Sequence, residues 1–181
     1  MQMNMAQRTQ PITQQAVRDA LLQVMDPEIP GLSIVDLGIV HKIEVHNDAI
    51  HVELMPTFVG CPALEVIKES VQERLAQLAP GYRIEVRFTF DEPWTSDRIS
   101  EKGRQVLKSS GFAPPAHANS TGTSARPGQA PIRLVPVMPL VECPYCGSRK
   151  TVLENPFGPT LCRAIYYCRN CRQPFEQFKQ V

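Results

Sequence analysis

Apolar residues recur at three- and four-residue spacing in two segments of the chain, residues 13–25 and 62–78. This is the period of one face of an α-helix, so both segments are predicted to be helical. The first helix is expected to stop at Asp26, because the residue before a proline is pushed out of the α region. A third helix is expected to run from a cap at Ser96 to about residue 109, with Gly111 ending it.

Elsewhere in the first 110 residues the apolar positions alternate with polar ones, which is the period of a strand with one buried face. Residues 39–45 and 50–55 alternate on either side of a turn at residues 46–49 and predict a β-hairpin. Residues 84–90 predict a third strand. Together these elements predict an α/β (α+β) fold, a small mixed sheet with helices packed on it.

The composition changes between residues 111 and 140, where prolines mix with Ala, Ser, Thr and Gly, and aromatic side chains are nearly absent. Such a segment cannot bury enough apolar surface to fold alone. We therefore interpret it as a linker, part flexible and part extended. The predicted organisation is an α/β domain at residues 11–110, a Pro-rich linker at 111–140 and a cysteine ribbon at 141–181.

Five of the six cysteines lie in the last segment, and four of them form two C-x-x-C pairs, Cys143 with Cys146 and Cys168 with Cys171. Two residues between cysteines let both sulfurs of one tight turn face the same ion, and Gly147 allows the sharp turn after the first pair. A segment of this size lacks a sufficient core, so bound metal is expected to stabilise it. The spacing favours zinc, although an iron–sulfur cluster would use the same thiolates.

Two cysteines stand apart from these pairs. Cys61 follows a strand and Gly60 and precedes a helix, whose unpaired amides and dipole are expected to stabilise a thiolate. Thr57 is placed to hydrogen-bond the sulfur or its ligand, although a buried structural cysteine fits the pattern equally well. Cys162 is either a small buried apolar residue or an alternative ligand or transfer thiol.

Three acidic residues, Asp26, Glu28 and Asp36, fall in loops that are expected near the same end of the sheet as Cys61. Their carboxylates suit a hard cation or the steering of a partner. The alternative is helix termination and solvation, and for Asp26 this alternative is preferred.

The distribution of charged and apolar residues indicates which partners and which cellular location to expect. Residues 1–110 carry 11 Lys/Arg and 15 Asp/Glu, whereas residues 143–181 carry 6 and 2. Opposite charges suggest docking on partner proteins, docking of the two ends on each other, or simply solvated surfaces. No apolar run approaches the ~20 residues that span a bilayer, and the N-terminus lacks the apolar region of a signal peptide. A cytoplasmic location is therefore expected, where reduced thiols favour metal binding or reactivity over disulfides.

Six short runs resemble a known family. They are DPEIP at 26–30, SIVDLG at 33–38, PTFVGCPA at 56–63, FTFDEPWT at 88–95, GFAPP at 111–115 and FGPTLCRA at 157–164. The first three look like the small iron–sulfur assembly domain found in SufT and in eukaryotic cytosolic targeting factors. Together with the C-x-x-C ribbon, all six are similar to the PaaD family of bacterial phenylacetate catabolism.

The resemblance implies a role beside the multicomponent phenylacetyl-CoA epoxidase, which has a di-iron oxygenase and a reductase carrying flavin and a [2Fe–2S] cluster. The domain type implies an accessory maturation factor rather than a catalyst, with Zn²⁺ in the ribbon and transient iron or an iron–sulfur cluster at Cys61. Cys61 and Thr57 match the family's reactive site, and the four ribbon cysteines match its metal ligands. Cys162 matches a recurring cysteine without an assigned role. Phe58 and Val59 replace the family's usual tyrosine and serine, which removes a hydroxyl pair.

The partners implied are the oxygenase and reductase subunits. A homodimer or external thiols would complete the coordination of a cluster, which one cysteine cannot fill. Three other functions stay open: a non-catalytic structural subunit of the oxygenase, a nucleic-acid module and a thiol enzyme. A nucleic-acid module would use Tyr166, Tyr167 and Arg169 of the basic ribbon, but the acidic first domain argues against nucleic-acid binding. A thiol enzyme would need a general base beside Cys61, and the sequence offers no convincing one. No membrane partner is expected.

Overall fold

A computed structural model describes residues 11–116 and 141–179 of the chain. The helices are α1 (Gln14–Leu21), α2 (Ala63–Leu78) and α3 (Glu101–Ser109). The strands are β1 (Val40–Val45), β2 (Ala49–Leu54), β3 (Arg83–Phe88), β4 (Phe112–Ala113), β5 (Thr151–Asn155), β6 (Arg163–Cys168) and β7 (Pro174–Phe178). Across these described residues, no helix is both long and apolar enough to cross a membrane.

The first sheet has the order β1-β2-β3 and is mixed, as predicted. The hairpin pairs β1 and β2 antiparallel, whereas β3 joins β2 in parallel. A parallel neighbour requires a crossover connection, and α2 supplies it. Its stripe of Ile67, Val71 and Leu75 is buried against the sheet, so the apolar period of the sequence is also the packing surface of the helix.

The first helix ends before the predicted position. Its C-cap is Leu22, and the chain then leaves the helix to pair with the loop that follows. The Ile34 N–H donates to the Val24 carbonyl at 3.0 Å, and the Asp26 N–H donates to the Leu32 carbonyl at 2.8 Å. These long-range bonds use the backbone groups that a longer helix would need. The predicted end at Asp26 is therefore wrong by several residues.

Two further boundaries differ from prediction. The cap of α3 is Ser100, whose hydroxyl accepts the Gly103 N–H at 2.9 Å, while Ser96 only opens a short 3₁₀ turn. The third strand stops at Phe88 because β2 ends at Leu54, the residue paired with it. Phe90, predicted to belong to the buried face of that strand, is 59% exposed.

The second sheet has the order β4-β7-β6-β5 and contains the ribbon. Its strand β4 lies within the segment that composition marks as linker. Phe112 and Ala113 are 9% and 1% exposed, and they pair in parallel with β7. Two apolar residues therefore bind the start of the predicted linker to the ribbon, which composition averaged over thirty residues cannot reveal. Residues 117–140 of that linker lie outside the described ranges.

The ribbon packs against the α/β domain along a buried seam formed by Trp94, Phe112, Arg163 and Phe178. The Trp94 and Phe178 rings meet edge to face with centroids 5.9 Å apart. The Trp94 indole N–H donates to the Leu37 carbonyl at 3.2 Å, which makes Trp94 a core residue. Phe112, Cys162 and Phe178 belong to the same apolar core as the first sheet. The seam therefore joins the two parts that the sequence separates.

Candidate metal and thiol sites

The four ribbon cysteines converge as their spacing predicts. Their Sγ atoms all lie within 4.8 Å of one another. The Sγ–Sγ distance is 3.7 Å between Cys143 and Cys171 and 3.6 Å between Cys146 and Cys168. A tetrahedral ion with Zn–S bonds of about 2.3 Å places its sulfurs about 3.8 Å apart, so the set fits zinc. In residues 11–116 and 141–179 this is the one cluster of three or more His, Cys, Asp or Glu able to hold a metal.

The two knuckles of the ribbon repeat one backbone design. The Gly147 N–H donates to the Cys143 carbonyl at 2.9 Å, and the Arg172 N–H donates to the Cys168 carbonyl at 2.8 Å. Both donors have a positive φ, +69° at Gly147 and +59° at Arg172. Glycine adopts this conformation freely, whereas arginine does so at a steric cost. The glycine of the first knuckle was predicted from sequence, but the strained arginine of the second was not.

Without a cation between them, the four neighbouring thiols cannot all be ionised easily, because their thiolates would repel one another. The Ser148 backbone N–H, helped by the Asn170 amide, lowers the pKa of Cys146 to about 6. Burial and the neighbouring thiols raise the pKa of Cys171 to about 12. A divalent cation between the four sulfurs removes this repulsion and favours the thiolate form of all of them. The donor set and its spacing therefore suit a bound metal ion.

Cys61 lies in the loop between β2 and α2, next to Pro62, the cap residue of that helix. Its side chain packs against the core of the α/β domain while staying partly accessible. Gly60 has a φ of +83°, and a Cβ there would meet no atom within 4 Å. Glycine therefore serves the turn and is not needed for a close backbone approach. Thr57 lines the same cavity as Cys61.

The surroundings of Cys61 do not favour the thiolate that the sequence predicts. Burial raises the pKa of Cys61 above its ordinary value, and the charges of Glu28 and Asp26 raise it further. The Ala63 N–H at the helix N-terminus lowers it, as expected, but the other influences outweigh this one. At neutral pH Cys61 is therefore a thiol, which would have to lose its proton to act as a metal ligand.

Cys162 lies immediately before β6 and faces the same region as Cys61. It is 7% exposed, and its sulfur is 3.1 Å from the Thr160 hydroxyl. A cavity of about 210 Å³ separates the loop before α2 from the turn before β6; we call it the seam cavity. It is lined by Thr57, Phe58, Cys61, Pro62, Gly158, Pro159, Thr160, Leu161 and Cys162. The tertiary structure thus brings the two isolated cysteines to one cavity.

Two of the three predicted acidic residues have structural roles. Asp26 Oδ1 accepts the backbone N–H groups of Glu28 at 2.8 Å and of Ile29 at 2.9 Å, closing the turn after α1. Asp36 is 7% exposed and accepts the hydroxyls of Ser33 at 2.8 Å and Ser100 at 2.7 Å. Burial raises its pKa, but these hydroxyls outweigh burial and the net pKa is lowered. Asp36 therefore anchors the start of α3.

Glu28 is the acidic residue that reaches the seam. Its carboxylate lies 3.6 Å from the Arg163 guanidinium, and its charge raises the pKa of both Cys61 and Cys162. Within the described ranges, Asp26, Glu28 and Asp36 are not grouped closely enough to hold one metal ion together. Asp26 Oδ1 and both oxygens of Asp36 accept hydrogen bonds from neighbouring donors. A cation at one of these residues, or the steering of a partner, stays a prediction.

Arg163 is a site residue that sequence reasoning missed. It is 8% exposed, and its guanidinium donates to the Glu28 carbonyl at 2.7 Å and to the Glu176 carboxylate at 3.0 Å. The guanidinium also lies 4.9 Å from the centre of the Phe112 ring. Its place directly after Cys162 in the FGPTLCRA run was the one available signal. Arg163, the first residue of β6, fixes the turn that carries Cys162 against the loop that carries Glu28.

Known proteins match both parts of the chain. The family described as "PaaD zinc beta ribbon domain" matches residues 129–179, and "Iron-sulfur cluster assembly protein" matches residues 14–88. An Escherichia coli protein, provisionally named as one of the subunits of 1,2-phenylacetyl-CoA epoxidase, is 36% identical over 166 residues, which cover 89% of each chain. The Fe-S protein maturation auxiliary factor YitW of Bacillus subtilis is 35% identical over 92 residues, 50% of this chain and 89% of that protein.

Among solved structures, a domain of unknown function DUF59 from Bacillus anthracis is 29% identical with a TM-score of 0.48, covering 51% of this chain and 89% of that chain. The sequence resemblance drawn from the six short runs is confirmed by the two family matches, which follow the order of the α/β domain and the ribbon. With similarity to the Escherichia coli relative extending over 89% of its length, the chain belongs to the PaaD family, an iron–sulfur cluster assembly domain joined to a zinc β-ribbon.

Proposed function

We propose that this chain is a maturation factor that assists iron–sulfur cluster or metal assembly of the multicomponent phenylacetyl-CoA epoxidase. The observation that carries the proposal is the partly accessible thiol of Cys61, which lines the seam cavity in a domain that matches the iron–sulfur cluster assembly family. Relatives of that domain are named Fe–S protein maturation factors. The link to the epoxidase is supported by the name of the Escherichia coli relative.

The chemistry asked of Cys61 is transient binding of iron or of a cluster, which is the cargo. Thiolates are soft ligands that suit iron–sulfur chemistry. Because burial raises the pKa of Cys61, binding releases a proton and delivery restores it. A thiol that returns readily to its neutral form gives up its cargo more easily than a stable thiolate would. Thr57 lines the path to the sulfur.

The ribbon has a separate task in this proposal. Zn²⁺ bound by its four cysteines stabilises the second sheet, and the ribbon docks the recipient, the oxygenase or the reductase subunit. The ribbon packs on the α/β domain along the seam, so docking would bring the recipient next to Cys61. None of the six cysteines, all of which lie in the described residues, forms a disulfide, and the compartment we propose is the reducing cytoplasm.

The test is co-expression of the epoxidase subunits with this chain in cells that lack their own copy. Cys61→Ser is expected to reduce the iron content and activity of the purified epoxidase to the level found without the chain. Val59→Ala is the matched control, because Val59 lies in the same loop, is 77% exposed and does not line the seam cavity. Full epoxidase activity with Cys61→Ser, together with stoichiometric co-purification of the chain, would instead identify a structural subunit.

A further inference from the structure

We infer that Cys61 and Cys162 form one two-thiolate site in the seam cavity that holds the iron or iron–sulfur cargo, so that the ribbon segment supplies a ligand for the reaction of the assembly domain. The inference rests on the proposed function and names the second ligand that Cys61 requires. Four ribbon cysteines stay with the resident metal, which leaves Cys162 as the one thiol of the ribbon segment outside that site.

The placement of Cys162 is the first argument. Both cysteines line the same cavity, although one lies in the α/β domain and the other in the ribbon segment. Ionisation of Cys61 would raise the pKa of Cys162, which places the two sulfurs within electrostatic reach of each other. The Thr160 hydroxyl, 3.1 Å away, is the polar neighbour of the Cys162 sulfur. The shared cavity is the geometric observation on which the inference rests.

The walls of the cavity are the second argument. Phe58, Pro159 and Leu161 give it an apolar lining, and the two thiols are its soft donors. Glu28 adds negative charge that acts on both sulfurs. Apolar walls around soft donors favour a thiophilic cation or cluster over a hydrated hard cation.

The contacts that position Cys162 are the third argument. A Cβ on Gly158 would lie 2.9 Å from the Arg163 Cβ, and the Gly158 N–H donates to the Arg163 carbonyl at 2.9 Å. Glycine is needed for this close approach of the turn before β6. Arg163 in turn donates to the Glu28 carbonyl of the α/β domain at 2.7 Å. The turn that carries Cys162 is thus fixed against the loop region beside Cys61.

The binding step needs no oxidant. Two neutral thiols each lose a proton to water, and the two sulfurs form bonds to Fe²⁺, which keeps its oxidation state. Two coordination positions stay open for external thiols, a second copy of the chain or ligands of the recipient. Delivery reverses the step, because recipient ligands replace the sulfurs and protons return to them. An open coordination sphere distinguishes this site from the closed four-thiolate ribbon.

The experiment uses the full chain with zinc already in the ribbon and titrates it anaerobically with Co²⁺, whose thiolate charge-transfer band reports the number of bound sulfurs. The unmodified chain is expected to take one further Co²⁺. Cys61→Ala and Cys162→Ala should each lose about half of the new band and bind the ion at least about 10-fold more weakly. The double variant should lose the band, and Val59→Ala should keep it.

Retention of the full band by Cys162→Ala, with zinc content and melting temperature unchanged, would overturn the inference. Absence of the extra Co²⁺ from the unmodified chain would overturn it as well. Neither result touches the epoxidase assay of Cys61→Ser, so the two proposals fail separately. Parallel loading with Fe²⁺ alone and with Fe²⁺ plus sulfide identifies the cargo: iron without sulfide supports an ion, and equal uptake of both supports a cluster.

Discussion

The two cysteine regions of this protein differ in how their ligands are brought together. The ribbon draws four cysteines from two short knuckles, and Cys143 and Cys168 are fully buried in its small core. The seam cavity draws one cysteine from each part of the chain, on a core that is already formed. The ribbon offers four thiols, enough to close the coordination of one ion, whereas the seam cavity offers two and leaves coordination positions open. The number of thiols, rather than their burial, distinguishes the two regions, since Cys146 is exposed and Cys162 is buried.

The largest expected effect is on the ribbon. Cys143→Ser removes a buried thiolate from a closed site, and structural zinc contributes about 10–16 kcal/mol to small ribbons. We expect the variant to lose its zinc and residues 141–179 to become sensitive to protease, whereas Cys61→Ala should keep both properties. Metal analysis and limited proteolysis measure the two outcomes. A Cys143→Ser protein that keeps its zinc and resists protease would contradict this prediction, because the ribbon would then fold without the complete set of four cysteines.

A smaller effect is expected at the seam that joins the regions. Phe178→Ala removes a side chain that is 1% exposed and packs on Trp94, so it should lower the free energy of unfolding by about 3–5 kcal/mol. Phe90→Ala is the matched control, since Phe90 is 59% exposed and a surface change costs less than about 0.5 kcal/mol. Denaturant unfolding measures both. Equal values for the two variants would mean that the ribbon does not pack on the α/β domain in solution.

The smallest expected effect is on the reactivity of Cys61. Only the thiolate reacts with iodoacetamide, and the pKa of Cys61 is raised, so its alkylation rate should still be climbing at a pH where an ordinary cysteine has levelled off. Glu28→Gln removes a charge that raises this pKa and should speed alkylation at neutral pH by about two- to threefold. Glu154→Gln, exposed on β5, should leave the rate unchanged. Peptide mass spectrometry measures the rates. An alkylation rate of Cys61 that levels off at a lower pH than that of an ordinary cysteine would contradict the raised pKa and support the low-pKa thiolate predicted from sequence.

Several parts of the fold were readable from the sequence because they depend on neighbours along the chain. The alternation around residues 46–49 predicted the hairpin, and the stripe through Ile67, Val71 and Leu75 predicted α2. Helix ends were less readable. The end of α1 is set by backbone pairing of residues 24–26 with residues 32–34, and such pairing leaves no mark in a local pattern.

Some features of the candidate sites were likewise predictable from the sequence, and others were not. The ribbon ligands were predicted because two residues between cysteines place both sulfurs on one turn. The electrostatics of Cys61 were misjudged, because the helix N-terminus is visible in the sequence while burial and the approach of Glu28 and Asp26 are not. Arg163 was missed because its partners, Glu28 and Phe112, are distant in sequence and adjacent only in the folded chain.

The sequence by itself therefore determined the local chemistry of this protein: an α/β domain with one thiol at a helix start, and four cysteines spaced for a metal. Its short motifs also determined the family. Only the tertiary structure decided that Phe112 and Ala113 join the ribbon sheet, that the ribbon packs on Trp94, and that Cys162 meets Cys61 at one cavity. The physical reason is that spacing along a chain sets which side chains share a turn, whereas burial of distant apolar surface sets which turns meet.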